Sequence, residues 1–177
     1  MDTHQATRRY RIVMTLFITG LLLSGITAFP LLHEMRLLTH VLGINPAANP
    51  ESYGGLSAWL LKVRLGLEAT YAQYPWIAYG TDWLAFGHII IALFFVPCLT
   101  SPAASRPTLR VGMTACVLVF PLAFICGALR GIPLYWRLID CSFGVFGILP
   151  LIYCHSLLRH IMAHREPAPK QNVTLQR

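Results

Sequence analysis

Four long runs of apolar residues dominate the chain, and short polar stretches separate them. The runs cover residues 10–32, 76–99, 111–129 and 132–158. A helix needs about 20 apolar residues to cross the hydrocarbon core of a bilayer. The pattern therefore predicts an all-α membrane protein, with four transmembrane helices in a single bundle formed by residues 1–165. The polar residues after this domain, 166–177, are predicted to form a disordered tail.

The connection between the first two runs has a helical periodicity of its own. The first helix is predicted to continue past the membrane through residues 33–43. The i, i+3, i+7 spacing of His33, Arg36 and His40 would then place them on one face. After a turn-rich stretch, residues 56–71 repeat apolar side chains at helical spacing. This apolar stripe consists of Leu56, Trp59, Leu60, Val63, Leu67 and Tyr71. This repeat predicts an amphipathic helix outside the bilayer. Two interpretations stay open for this helix: an interfacial anchor, or a lid over the mouth of the bundle.

Composition supports the membrane assignment and excludes one class of partner. The chain is 55% hydrophobic and 12% charged, whereas soluble domains carry about 25% charged residues. Its net charge is +7. The lysines and arginines flank the apolar runs and do not cluster with aromatic residues, so nucleic acid is not the expected partner. The expected partner is the lipid bilayer.

The distribution of lysine and arginine predicts the orientation of the chain. Nine of the fourteen basic residues lie on the side that holds both termini, and five lie on the other side. Because short cytoplasmic segments are enriched in these residues, both termini and the tail are predicted to be cytoplasmic, with residues 33–75 facing outward. In a bacterium the membrane would be the inner membrane. The nine are Arg8, Arg9, Arg11, Arg106, Arg110, Arg159, Arg165, Lys170 and Arg177.

Two carboxylates fall inside predicted spans at a similar depth. Asp82 lies six residues after Trp76, and Asp140 lies four residues after Trp136. Tryptophans mark the membrane interface, so both acids are placed in the outer third of the bundle. An ionisable group within a membrane span is costly, and it is a functional hypothesis by default.

A structural interpretation of the same acids stays open beside the functional one. Asp140 could pair with Arg137 one helical turn away. Asp82 could pair with an arginine of the outer rim. These charges would then hold the outer ends of the helices together. The candidate arginines for Asp82 are Arg36, Arg130 and Arg137.

His88 is the most unusual of the seven histidines, because it lies deep in the second run, about 13 Å along the helix from Tyr79. A neutral histidine at that depth needs a hydrogen-bond partner or a metal, and His88 is the best single candidate for a metal ligand. His33 and His40 lie at the outer interface and His155 near the inner one. No second histidine is predicted at the depth of His88, which disfavours a bis-histidine haem within one chain. The cofactor stays open.

Neither the cysteines nor a search for known catalytic motifs indicates a specific function. The five cysteines contain no C-x-x-C pair and are interpreted as packing residues. One disulfide stays open, between Cys126 and Cys141, which fall toward the same membrane face. The sequence has no G-x-S-x-G, no H-E-x-x-H and no glycine-rich phosphate loop, so enzymatic activity stays undecided.

Three hypotheses for function follow. The first is an outward-facing polar site, in the outer third of the bundle, for a small ligand, an ion or a proton. The second is an accessory or assembly subunit that binds partner membrane subunits or a second copy of the chain. The third is a membrane-embedded enzyme that uses Asp82, Asp140 and a histidine as acid and base. The candidate site residues are His33, Glu34, Arg36, His40, Asp82, His88, Arg130, Arg137 and Asp140.

Two stretches carry a resemblance to a known group of proteins. Residues 80–88, GTDWLAFGH, and residues 130–144, RGIPLYWRLIDCSFG, resemble a family of small bacterial inner-membrane proteins. The resemblance implies four spans and a bacterial inner membrane. It implies no activity, cofactor or partner.

Overall fold

The structure, a computed structural model, describes residues 2–101 and 105–164. Within these ranges the regular secondary structure is entirely helical. Four helical stretches there are long and apolar enough to cross a membrane: Thr3–Ala28, Pro75–Thr100, Arg106–Leu129 and Leu134–Ala163. The predicted fold class, an all-α membrane bundle, is confirmed. The predicted tail, residues 166–177, lies outside the described residues.

Short breaks divide the described chain into eight α-helical segments, and a π-helical turn, Leu122–Cys126, joins the sixth to the seventh. Turns of 3-10 helix, Pro50–Ser52 and Pro75–Ile77, precede and follow the third segment. The segments are α1 (Thr3–Ala28), α2 (Leu31–Val41), α3 (Gly55–Gln73), α4 (Ala78–Phe95), α5 (Pro97–Thr100), α6 (Arg106–Pro121), α7 (Gly127–Leu129) and α8 (Leu134–Ala163).

The first membrane helix ends earlier than predicted. It stops at Ala28, and a second helix starts at Leu31. Between them Pro30 has φ −86° and ψ 44°, outside the helical region. Proline has no N–H to continue the helical ladder, and its ring clashes with the carbonyl one turn earlier. The prediction that the first helix continues through residues 33–43 is therefore wrong, because α2 is a separate helix with its own direction.

The helices α2 and α3 pack against each other and form a small apolar cluster. Its buried members are Met35, Ile44, Leu60 and Leu61, and Trp136 of α8 packs against them. Leu60 lies on the predicted apolar stripe of α3, whereas Leu61 lies about 100° around the helix from it. The predicted helix over residues 56–71 is confirmed as part of α3. Its buried face is wider than the predicted apolar stripe, because it includes Leu61. We call residues 31–73 the cap.

The cap lies across one end of the bundle. At the start of α3, the hydroxyl of Tyr135 in α8 donates a hydrogen bond to the carbonyl oxygen of Gly55 over 3.0 Å. At its other end, the hydroxyls of Tyr71 and Thr81 lie 3.4 Å apart, which joins α3 to α4. These contacts hold both ends of α3 against membrane helices.

Small residues bring the membrane helices together in two pairs. α1 packs on α4, and α6 packs on α8. A Cβ atom on Gly25 would lie 2.9 Å from the carbonyl oxygen of Ala85. A Cβ atom on Gly144 would lie 2.6 Å from the carbonyl oxygen of Cys116. Backbones approach this closely only where side chains are minimal, which is how helices associate in lipid.

Large side chains join the two pairs at the end opposite the cap, which we call the closed end. Tyr10 and Met14 of α1 and Leu151 and Leu158 of α8 are all completely buried there. Phe95 of α4 belongs to the same cluster. The α1–α8 contact is thus filled at the closed end. Closer to the cap, small residues on α1 leave space between the same two helices.

Replacing Gly144 by alanine tests the α6–α8 contact. The added Cβ would meet the backbone oxygen of Cys116, so we expect a loss of about 1–3 kcal/mol of stability through overpacking. Thermal unfolding in detergent measures it. Gly87→Ala is the matched control, since nothing lies within 4 Å of a Cβ there and both variants gain similar helix propensity. Equal melting temperatures for the two variants would contradict the close contact.

Candidate functional site

The nine candidate residues do not gather into one site. His33 and His40 are exposed on α2, while the buried positions of that helix are Met35 and Thr39. Neither histidine side chain makes a hydrogen bond or ion pair with another described residue. The break at Pro30 explains the placement, because it sets the direction of α2 independently of α1.

Arg36 belongs to an ionic network inside the cap. Its Nε donates to Oε1 of Glu68 over 2.8 Å, and Nε of Arg64 donates to the same oxygen over 3.2 Å. Nη1 of Arg64 also donates to Oγ1 of Thr39 over 2.7 Å. The network ties α2 to α3. Glu68, Arg64 and Thr39 were absent from the candidate set, although the i, i+4 spacing of Arg64 and Glu68 is a recognisable ion-pair signal.

The network also sets the charge state of Glu68. The hydrogen bond from Arg36 lowers the pKa of the Glu68 carboxyl from its ordinary value of 4.5, and Arg64 adds to the effect against the opposing influence of burial. Glu68 is therefore ionised whenever the cap is exposed to neutral solution. This arrangement is a structural clamp whose charges already have partners.

The remaining charged candidates near the cap are dispersed. Arg137 packs against Gly127, where an added Cβ would lie 2.6 Å from its Cδ, and its buried Nε has no hydrogen-bond partner among the described residues. Asp140, one turn further along α8, forms no ion pair with it in the described structure. Arg130 is exposed and Glu34 is partly buried.

Asp82 lies apart from Asp140. It lines a shallow recess together with aromatic residues of α1 and α4. No hydrogen bond joins the two carboxyl groups in the described part of the chain, and Asp140 is not among the residues that line this recess. The two acids, which the sequence places at a similar depth, are therefore not brought together in one site.

His88 lines the groove that the two helix pairs leave between them. The groove has a volume of about 600 Å³. α1 and α8 supply most of its walls, and His88 is the contribution of α4. Ser24 and His88 are the polar side chains among its lining residues, which are Val13, Leu16, Phe17, Gly20, Leu21, Ser24, His88, Phe143, Phe146, Gly147 and Pro150.

The hydrogen bond of His88 defines what the ring offers to a ligand. Its Nδ1 lies 2.9 Å from the carbonyl oxygen of Leu84. A carbonyl oxygen only accepts, so Nδ1 carries the proton, and the other nitrogen of the neutral ring, Nε2, is left as an acceptor. Gly25 allows this close approach of α1, since a Cβ there would lie 3.1 Å from Cβ of His88. The groove therefore combines apolar walls with one histidine acceptor.

Few side chains near His88 could coordinate a metal together with it. The other residues that line the groove include no histidine, cysteine, aspartate or glutamate. Across residues 2–101 and 105–164, no three or more such side chains are placed to share one ion. The cysteines Cys98, Cys116, Cys126, Cys141 and Cys154 are all free thiols.

Replacing Glu68 by glutamine tests the clamp. Arg64, whose side chain is 14% exposed, would lose its ionic acceptor, and we expect a loss of about 1 kcal/mol at neutral pH. A carboxyl with a lowered pKa stabilises the fold above its unfolded value and loses that contribution as the pH falls through the folded value. The difference in melting temperature between wild type and Glu68→Gln should therefore shrink below pH 4.5.

The matched control for this prediction is Glu51→Gln. Glu51 is an exposed residue of the same cap, and its side chain makes no ion pair with a described residue. Its substitution should leave the melting temperature unchanged across the pH series. A pH-independent effect of Glu68→Gln would show that the carboxylate charge does not hold the clamp.

Comparisons with protein-family models, with curated proteins and with solved structures give no match to this chain. The resemblance to small bacterial inner-membrane proteins therefore stays a hypothesis. The features of the chain that bear on its function are the groove, the histidine that lines it and the cap above it.

Proposed function

We propose that this chain is a multi-pass inner-membrane protein that binds a small lipid-like molecule in the groove between α1, α4 and α8. The observation that carries the proposal is an apolar groove of about 600 Å³ with a histidine acceptor in its wall. Sites for small molecules commonly measure about 300–1,000 Å³ and combine apolar walls with a few fixed polar groups. The groove fits this description.

The walls indicate how a ligand would reach the groove. Leu16, Phe143 and Phe146 line it, and each is about two-thirds exposed or more, at 66%, 67% and 71%. In a bilayer these side chains would face acyl chains, so the groove opens sideways into lipid. The ligand would therefore partition from the membrane and not from water.

The histidine indicates which polar group the ligand carries. Nε2 of the neutral ring accepts a hydrogen bond, so the complementary group is a donor such as a hydroxyl. An unpaired donor within hydrocarbon is costly, and a molecule with a single hydroxyl would satisfy it at His88. An apolar alcohol or phenol is the class of ligand that matches the groove.

The location and orientation of the chain are part of the proposal. Even numbers of spans return the chain to its starting side, and the excess of lysine and arginine on that side supports cytoplasmic termini. The cap would then face the periplasm. The resemblance of residues 80–88 and 130–144 supports a bacterial inner membrane.

Labelling with a photoactivatable prenyl alcohol tests the groove. In the purified protein, we expect saturable labelling of peptides from α1 and α8. His88→Leu removes the acceptor and should raise the half-saturating concentration about five- to tenfold, the worth of one hydrogen bond. His88→Gln, which keeps an acceptor oxygen, should restore part of the affinity.

A second variant tests the cavity itself. Gly20→Leu should abolish labelling because the new side chain occupies the groove, and nothing lies within 4 Å of a Cβ at that position to resist it. Gly80→Leu, at an equally open position outside the lining, is the control. Equal labelling of all variants would overturn the proposal. Equal labelling together with stoichiometric copurifying chains would favour an accessory subunit.

Reporter fusions test the orientation. Alkaline phosphatase is active only after export, so a fusion in the loop between α2 and α3 should be active and one at the C-terminus inactive. The reverse result would place the cap in the cytoplasm. A green fluorescent reporter at the same two positions provides the complementary control, since it fluoresces when it stays inside.

A further inference from the structure

One face of α4 combines a carboxylate with aromatic rings. Tyr79, Asp82, Trp83 and Phe86 follow i, i+3, i+4, i+7 spacing and therefore share a face of the helix. Phe29, next to the break at the end of α1, completes the set. Together they line a recess of about 290 Å³ that is separate from the groove at His88.

Neighbouring aromatic rings on this face are not stacked face to face. The centroids of Tyr79 and Trp83 are 6.0 Å apart and their planes meet at 82°. The centroids of Trp83 and Phe86 are also 6.0 Å apart, with an angle of 87°. Each neighbouring pair is therefore nearly perpendicular, with the edge of one ring towards the face of the other. The faces of such rings carry negative charge density and attract cations.

The carboxylate of Asp82 lacks a counter-ion within the described residues. It makes no hydrogen bond or ion pair with them, and it is partly buried near the start of a membrane span. Arg36, one of the arginines expected to pair with it, is bound to Glu68 instead. An ionised carboxylate at the edge of an apolar span is costly without a compensating charge. A cation from outside the chain would supply that charge.

The chemistry of the recess selects among cations. A calcium or magnesium ion takes about six or more oxygen ligands, and the recess offers a single carboxylate. A primary ammonium has three N–H donors to satisfy, and the aromatic walls provide no further strong acceptor besides the Tyr79 hydroxyl. A quaternary ammonium has no N–H donor, and its methyl groups suit aromatic faces, which is how such cations are recognised in proteins.

We propose that the recess formed by Phe29, Tyr79, Asp82, Trp83 and Phe86 binds a quaternary ammonium group. The rings would contact the methyl groups, and the carboxylate would balance the charge. The same group occurs in the headgroup of choline lipids and in small solutes, and the recess near the end of a span is within reach of both. This site and the groove at His88 are independent proposals.

Equilibrium binding of radiolabelled choline tests the recess. The protein is reconstituted in nanodiscs of phosphatidylethanolamine, which carries no quaternary ammonium. We expect saturable binding that tetramethylammonium displaces. The neutral carbon isostere of choline, with a tert-butyl group in place of trimethylammonium, should not displace it. Equal displacement by the isostere would overturn the proposal, because it would show an apolar patch without charge recognition.

Two variants and one control assign the binding to these residues. Asp82→Asn keeps the shape and removes the charge, and Trp83→Leu removes the central ring. Each should weaken binding about tenfold or more, as expected for loss of a partly desolvated charge or cation–π contact. Trp76→Leu, at an exposed tryptophan outside the recess, should bind as the wild type does. Undiminished binding by Asp82→Asn, or no choline binding by the wild type, would contradict the site.

The source of the cation is distinguished by changing the lipid. In phosphatidylcholine nanodiscs, headgroups that reach the recess would compete, and the apparent affinity for free choline would fall. An unchanged affinity would identify a dissolved cation as the ligand. Both results support recognition of the quaternary ammonium, and they differ only in where it comes from.

Discussion

The close approach of backbones at small residues is the constraint on which the rest of the structure depends. Within lipid there is no hydrophobic force to press helices together, so packing decides where they meet. Gly25 brings α1 onto α4, and Gly144 brings α8 onto α6. Large side chains such as Tyr10 and Leu151 join the two pairs at the closed end. The groove at His88 follows from this division, because two tight pairs that meet at one end leave space towards the other.

The charged side chains that join the two helices of the cap have partners within the cap. Glu68 takes hydrogen bonds from both Arg36 and Arg64, so the cap neutralises its own acid and fixes α2 on α3. The cap in turn connects the pairs, through Tyr135 at one end and Tyr71 at the other. Asp82 has different surroundings from Glu68, because aromatic rings and not arginines line the recess with it. We therefore interpret Glu68 as a structural charge and Asp82 as a candidate binding charge.

The sequence predicted the elements better than their arrangement. Length and apolarity sufficed for four spans, because crossing a bilayer demands both. The end of the first helix was misplaced because hydropathy continues through Pro30 to Leu32, and an apolar count does not register a lost N–H donor. Gly20 and Gly25 look alike in sequence, yet one opens the groove and the other touches Ala85. Arg36 was expected near Asp82, and its true partner, Glu68, depends on the direction of α2, which no local pattern encodes.

The groove at His88 and the recess at Asp82 both include residues of α4. Asp82 and His88 are six residues apart on α4, which places them about 9 Å apart along the axis and about 120° apart around it. α1 contributes to both, with Gly20 and Ser24 in the groove and Phe29 in the recess. Because the α1–α4 contact at Gly25 is tight, the pair behaves as one packed unit. A ligand in either site would therefore contact α1 and α4, and the Gly25–Ala85 contact lies between the two sites on both helices.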